Sequence, residues 1–88
     1  MLLTIDIGNT NITLGAYNSG FLAFTARLAT DPRKTDDQYA IEIKHILSLY
    51  NIEGEQIEDC IIASVVPSVA RRVSHAIAKL CEIVPLML

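Results

Sequence analysis

The chain has 88 residues, of which 51% are hydrophobic, and a formal net charge of −3. That length holds one small domain, and the acidic balance gives no basic footprint for nucleic acid. No apolar run approaches the ~20 residues of a membrane span, and the start Met1-Leu2-Leu3-Thr4-Ile5-Asp6 lacks the basic-then-apolar pattern of a signal peptide, so the expected setting is cytoplasmic, with no membrane partner.

A domain of this size buries only about 60–65% of its unfolded surface, so so apolar a composition has two readings. Either helices cover both faces of a sheet, or apolar surface is left for a partner or a further segment. Cys60 and Cys81 stand far apart in apolar sequence and read as reduced packing residues, not as a disulfide or metal pair.

In chain order, Leu2 to Ile7 alternates Leu3, Ile5 and Ile7 against Leu2, Thr4 and Asp6, which predicts a strand. Gly8-Asn9-Thr10-Asn11 is turn chemistry, and Ile12 to Tyr17 predicts a second strand with Ile12, Leu14 and Ala16 on one face. Asn18-Ser19-Gly20 is a hairpin signal. Phe21 to Ala29 predicts a third strand, with Leu22, Phe24, Ala26 and Leu28 opposite Phe21, Ala23, Thr25 and Arg27. Short connections make these three strands an antiparallel meander.

Thr30 to Lys34 is a polar loop containing Pro32. Thr35-Asp36-Asp37-Gln38 fits a capping box, with Asp36 and Asp37 suited to the positive end of a helix dipole. The helix it opens runs to about Tyr50, with Tyr39, Ile43, Ile46, Leu47 and Tyr50 at helical spacing. Asn51 to Glu58 is a polar connection. Asp59 to Val65 predicts a fourth strand, its run Cys60-Ile61-Ile62-Ala63 suiting burial on both faces. Pro67 fits a first helical position, opening a second helix to about Glu82 with Val69, Val73, Ile77 and Leu80 inward. Ile83 to Leu88 predicts a fifth strand. The order βββαβαβ, with right-handed crossovers, predicts an α/β fold with a mixed five-stranded sheet of order 3-2-1-4-5.

One segment carries chemistry. Gly8 permits positive φ and close approach of a ligand, and backbone N–H groups of residues 8 to 11 form an anion-binding nest. Asn9, Thr10 and Asn11 add side-chain donors. Asp6 beside a phosphate makes sense with Mg²⁺ between them, held in part through water. The bland alternative is that Asp6 ends a strand and Gly8-Asn9 only makes a hairpin turn. No Gly-x₄-Gly-Lys loop and no Gly-x-Gly-x-x-Gly is present. Elsewhere, His45 and His75 lack partners at metal-ligand spacing, Asp36 and Asp37 read as helix-start charges rather than an acid pair, and Arg27 reads as an outward strand residue with an anionic ligand as the other possibility.

Three blocks together resemble one family. Leu3 to Gly15, with Asp6-Ile7-Gly8-Asn9-Thr10-Asn11 at its centre, is similar to the amino terminus of the type III pantothenate kinases, in the actin/acetate-and-sugar-kinase superfamily. Arg27-Leu28-Ala29-Thr30-Asp31, Arg33, Thr35 and Asp36-Asp37-Gln38-Tyr39 resemble that family's segment before its first helix. Ile61 to Pro67 resembles its Ser-Val-Val-Pro element. The resemblance implies a ribonuclease H-like half-domain, ATP and pantothenate as substrates, Mg²⁺, a monovalent cation such as K⁺, and a homodimer. It assigns ATP contacts to Asp6, Ile7, Gly8, Asn9, Thr10, Asn11, Ile12 and Thr13, and Mg²⁺ to Asp6. Ser64 is added because strands one and four should end together at a topological switch point; a helix-entry turn is its alternative role.

The family's general base, an Asp in a Gly-Ala-Asp-Arg element, has no counterpart in this sequence, and the pantothenate and cation positions are also unmatched. Residues 1–88 are therefore expected to be one truncated lobe, without its second lobe, that binds nucleotide weakly at best and does not turn over. An apolar last strand at a sheet edge invites self-association. The competing expectation is a short protein that keeps the half-domain as a non-catalytic binding or oligomerisation module, or as a regulator-like member of the same family.

Overall fold

A computed structural model describes residues 1–88. The elements run β1 (Leu2–Ile7), β2 (Asn11–Asn18), β3 (Phe21–Ala29), α1 (Asp36–Leu49), a 3₁₀ turn at Gly54–Gln56, β4 (Asp59–Ser64), α2 (Pro67–Cys81) and β5 (Leu86–Met87). They form one mixed sheet of order β3-β2-β1-β4-β5, the order expected from the sequence. β1 pairs antiparallel with β2 and parallel with β4, and β4 pairs parallel with β5.

Alternation on β1 decides which face of the sheet is covered. Leu3, Ile5 and Ile7 are buried, as are their cross-strand partners Ala16, Leu14 and Ile12. They join Cys60 and Ile62 of β4, Phe24 of β3, Tyr39, Ile43, Ile46 and Leu47 of α1, and Val69, Val73 and Ile77 of α2 in a single core. Both helices therefore pack on one face. The other face carries Thr4, Asp6, Thr13, Thr25 and Arg27, with Ile61 and Ala63 of β4 only half-buried. This corrects the expectation that β4 is buried on both sides, and it selects the reading in which apolar surface stays open: Tyr17, Leu22 and Leu86 all lie exposed.

A one-residue bulge sets the faces of β3. Tyr17 pairs with Leu22, but Ala16 pairs with Phe24, so Ala23 is the extra residue. The bulge puts Phe24 on the covered face, where its ring stacks on Tyr50 at 4.3 Å between centroids. It leaves Leu22 on the open face, at 53% exposure, whereas the sequence reading put both on one side. The turn before it, Ser19 and Gly20, has φ of 53° and 83°, the paired positive values of the tight hairpin turns that match strand twist.

The capping box forms as expected: the Gln38 N–H donates to Thr35 Oγ1 at 3.2 Å, and the Thr35 N–H donates to Gln38 Oε1 at 2.8 Å. Asp36 and Asp37 do more than suit the dipole. Asp36 meets His75 Nδ1 at 2.9 Å, Lys79 donates to Asp37, and Arg72 donates to the Pro32 carbonyl, so the start of α1 is laced to α2. The hydrogen bond from Lys79 to Asp37 holds the ammonium pKa above its ordinary value. Tyr50 caps α1 and is partly exposed rather than interior.

The fifth strand is shorter than the expected Ile83 to Leu88. Glu82 closes α2 in the left-handed region, φ 57°, and Ile83 to Pro85 make the corner, Pro85 being buried. Only Leu86 and Met87 reach ladder register, against Ile61 and Ile62.

Two predictions follow from the packing. A Cβ on Gly54 would run into the Leu80 carbonyl oxygen, which is helix backbone and cannot swing away. Gly54→Ala should cost about 1–3 kcal/mol, read as a lower urea midpoint at unchanged slope. Burial pushes the Cys60 thiol up to about 12, with neighbouring Cys81 adding to the shift, and burial raises Cys81 too. The unfolded chain ionises these thiols from the ordinary 9.0 upward while the folded chain keeps them protonated. Their contribution to stability is thus full below pH 9 and is lost as pH rises toward about 12. Alkylation of native chain at pH 8 should leave both thiols unmodified, and alkylation after unfolding should modify both.

Candidate functional site

The site is built where β1 ends. The Ile7 carbonyl accepts the Val65 N–H at 3.0 Å across the parallel β1–β4 pair, and β2 leaves on the other side through the turn that begins at Gly8. Carboxyl ends of two parallel strands thus meet beside an antiparallel neighbour, the switch-point geometry at which open α/β sheets bind ligands.

Inside the turn, the Gly8 N–H donates to the Asn11 carbonyl at 2.9 Å. Gly8 does not adopt positive φ, contrary to the expectation from sequence; a Cβ there would stand 3.3 Å from that same carbonyl, a tight contact, so what glycine supplies here is room rather than handedness. The Thr10 carbonyl accepts the Thr30 N–H at 2.9 Å, and the Gly8 carbonyl accepts the Thr30 hydroxyl at 2.8 Å. The carbonyls of Gly8, Thr10 and Asn11 are therefore all satisfied within the protein. The N–H groups of Asn9 and Thr10 donate to nothing in the chain, and the Asn9, Thr10 and Asn11 side chains are exposed. Of the turn's carbonyls only that of Asn9 accepts nothing in the chain, and the free Asn9 and Thr10 N–H groups give the rim the positive dipole ends that an anion site requires.

Asp6 lies on the open face, exposed, with no ion pair or hydrogen bond to its carboxylate. Thr13 is its cross-strand partner, and Arg27 is in turn the partner of Thr13, so the three form one row across β1, β2 and β3. Arg27 is the one basic residue in the strands of that face and has no ion-pair partner. Ile7 and Ile12, by contrast, bury their side chains in the core, leaving only backbone for a ligand.

Ser64 is brought to the same end of the sheet but not to the same face. It is in register with Ile7, and its hydroxyl accepts the Val66 N–H at 2.9 Å, shaping the entry to α2. It lines a groove with Pro67, Arg71 and Ser74, away from Asp6, whose partner on β4 is Ala63.

No three His, Cys, Asp or Glu side chains cluster to cage a metal. One free carboxylate next to free backbone N–H groups is instead an arrangement compatible with Mg²⁺ and a phosphate, since Mg²⁺ keeps several waters and takes few protein ligands besides phosphate oxygens. Sequence reasoning put Thr30 in a loop and Tyr39 in the core, both within the second block of the family resemblance, but gave neither a role at the site. Tyr39 is fully buried, yet its hydroxyl donates to the Asp31 carbonyl at 2.8 Å and accepts the Asp31 N–H at 3.0 Å. Beside it, the Arg33 guanidinium bonds the Asp31 carboxylate and lowers its pKa from the ordinary value.

The family model described as type III pantothenate kinase matches residues 2–88. A Finegoldia magna protein named type III pantothenate kinase is 40% identical over 87 residues, covering 99% of this chain and 33% of that protein. The chain thus spans about a third of the length of that relative.

Since Asp6 has no partner inside the protein, Asp6→Asn should leave the thermal midpoint unchanged within error. A clear drop on a melting curve would mean that Asp6 serves the fold.

Proposed function

The chain belongs to the type III pantothenate kinase family, and on that premise we propose that it is the ATP-phosphate-holding lobe of a kinase that phosphorylates pantothenate, the first step of coenzyme A synthesis. The observation that carries this reading is the pair of unpartnered N–H groups on Asn9 and Thr10 beside the unpaired Asp6 carboxylate.

Residues Asp6 to Thr13 have the following roles in this proposal. The Asn9 and Thr10 amides bind phosphate oxygens, and the side chains of Asn9, Thr10, Asn11 and Thr13 add donors without adding negative charge. Ile7, Gly8 and Ile12 contribute backbone at close range. Asp6 would hold Mg²⁺, in part through water, and the ion would supply charge neutralisation between carboxylate and phosphates. Ser64 acts at one remove, by fixing the turn from β4 into α2. Phosphoryl transfer is mostly positioning and electrostatic stabilisation from both sides of a cleft, and these 88 residues present one side.

The general base, the pantothenate pocket and the site for a monovalent cation such as K⁺ are assigned to parts of the enzyme outside residues 1–88. A homodimer and a cytoplasmic setting belong to the same proposal.

Titration of Mg-ATP into the wild-type chain and Asp6→Ala, followed by calorimetry, tests the loop. Wild type should bind, and Asp6→Ala should lose most of the Mg²⁺-dependent part of the affinity while keeping its melting temperature. Equal binding by the two would remove Asp6 from the site. In a coupled assay the chain alone should release no ADP in response to pantothenate; pantothenate-dependent release would overturn the division of labour proposed here.

A further inference from the structure

The phosphate turn does not hold its own shape. Of its three satisfied carbonyls, only that of Asn11 is bonded within the turn, by Gly8 N–H. The other two, on Gly8 and Thr10, are held by one residue from another strand end: Thr30 gives its hydroxyl to Gly8 at 2.8 Å and its backbone N–H to Thr10 at 2.9 Å. Thr30 is itself fixed, because the next residue, Asp31, has both its backbone groups bonded to the hydroxyl of fully buried Tyr39 on α1.

We infer that Thr30 is a positioning residue for phosphate binding, an inference that rests on the phosphate-loop reading above. The electrostatic reason is direct. A peptide unit that turns its carbonyl outward presents negative charge to a phosphate, and one that turns its N–H outward presents positive charge. The Gly8 carbonyl belongs to the same peptide unit as the Asn9 N–H. Holding that oxygen inward on Thr30 therefore holds the Asn9 N–H outward. Freed of the hydroxyl, the Gly8–Asn9 peptide can rotate, and the turn loses the polarity that makes it an anion site. Thr30 touches no phosphate; it acts through the orientation of a peptide plane.

The test uses three versions of the 88-residue chain: wild type, Thr30→Val and Thr30→Ser. Valine keeps the shape and the backbone N–H but lacks the hydroxyl, whereas serine keeps the hydroxyl. Two readings are taken, the backbone amide spectrum by ¹⁵N-correlation NMR without nucleotide and the Mg-ATP dissociation constant by titration. In Thr30→Val, amide shifts should move chiefly at Gly8 to Asn11 with core resonances of α1 and α2 in place, and the dissociation constant should rise about three- to tenfold, the worth of one hydrogen bond. Thr30→Ser should fall within about twofold of wild type, since its hydroxyl can make the same bond. Wild-type affinity in Thr30→Val, or a loss in Thr30→Ser as large as in Thr30→Val, overturns the role of the hydroxyl and leaves the phosphate-loop reading standing. Absence of Mg-ATP binding by folded wild type overturns both together.

Discussion

The register of β1 is the constraint on which the rest of the molecule depends. The strand is paired on both sides, antiparallel to β2 and parallel to β4. Its alternation sends Leu3, Ile5 and Ile7 into the core and Thr4 and Asp6 to the open face. A slip of one residue against either neighbour would exchange these sets. It would bury an unpaired carboxylate, which costs several kcal/mol or forces protonation, and would expose three large aliphatic side chains. Hydrophobic burial and the placing of Asp6 are therefore one choice, because the force that fixes the core also delivers the carboxylate to the end of the sheet where β1 and β4 finish side by side.

The bulge in β3 is the second decisive feature, and it links packing to the site. Were Ala23 paired in the ladder rather than bulged, the register set by the Ser19-Gly20 hairpin would continue, and Ala29 rather than Thr30 would stand opposite Thr10. Phe24 would then share a face with Thr4 and Gly15, away from Tyr50. The one-residue offset brings Phe24 onto the core, Arg27 into the row of Asp6 and Thr13, and the Thr30 N–H onto the Thr10 carbonyl. Bulges commonly re-aim side chains next to functional sites, and here the re-aimed residue also holds the turn.

Features encoded over a few residues were legible in the sequence. The capping box at Thr35, the hairpin at Ser19-Gly20, the periodicity of both helices and the order 3-2-1-4-5 all rest on local chemistry or on general connection rules, and all are observed. The errors have a different origin. Ile83 to Leu88 is apolar enough for a strand, but the left-handed Glu82 and the corner at Pro85 use up half of it before pairing begins. The run Cys60 to Ala63 is apolar for a strand covered on both sides, yet both helices lie on one side. Gly8 carried the right residue for the wrong reason, crowding rather than handedness. Thr30 and the Tyr39 hydroxyl could not be found because their partners are set by the bulge and by where α1 crosses the sheet, neither of which has a local signature. Asp6 to Asn11 was legible as a candidate loop; which of its peptide groups are free was not.

An acidic chain is an odd host for a polyanion only if net charge decides the matter. The charge of −3 is a sum over the whole chain, and exposed charges beyond about 8–10 Å are largely screened at ordinary ionic strength. A phosphate at the turn would feel mainly what lies within that range. There stand the N–H dipoles of Asn9 and Thr10, with Arg27 two strands away, the unpaired Asp6 carboxylate and, next to Thr30, the Asp31 carboxylate already paired with Arg33. Asp6 opposes a bare phosphate and favours one that arrives with a divalent cation. On the proposed function, the Asn9 and Thr10 amides, Arg27 and Asp6 would discriminate as well as attract, favouring the magnesium complex of a nucleotide over a free anion of equal size. The discrimination depends on the amides staying outward, because a turn with its carbonyls facing out would add acceptor oxygens to Asp6 and suit a cation alone. On the inference drawn above, the orientation of the Gly8–Asn9 peptide, held by the Thr30 hydroxyl at the end of β3, would separate a phosphate site from a bare cation site.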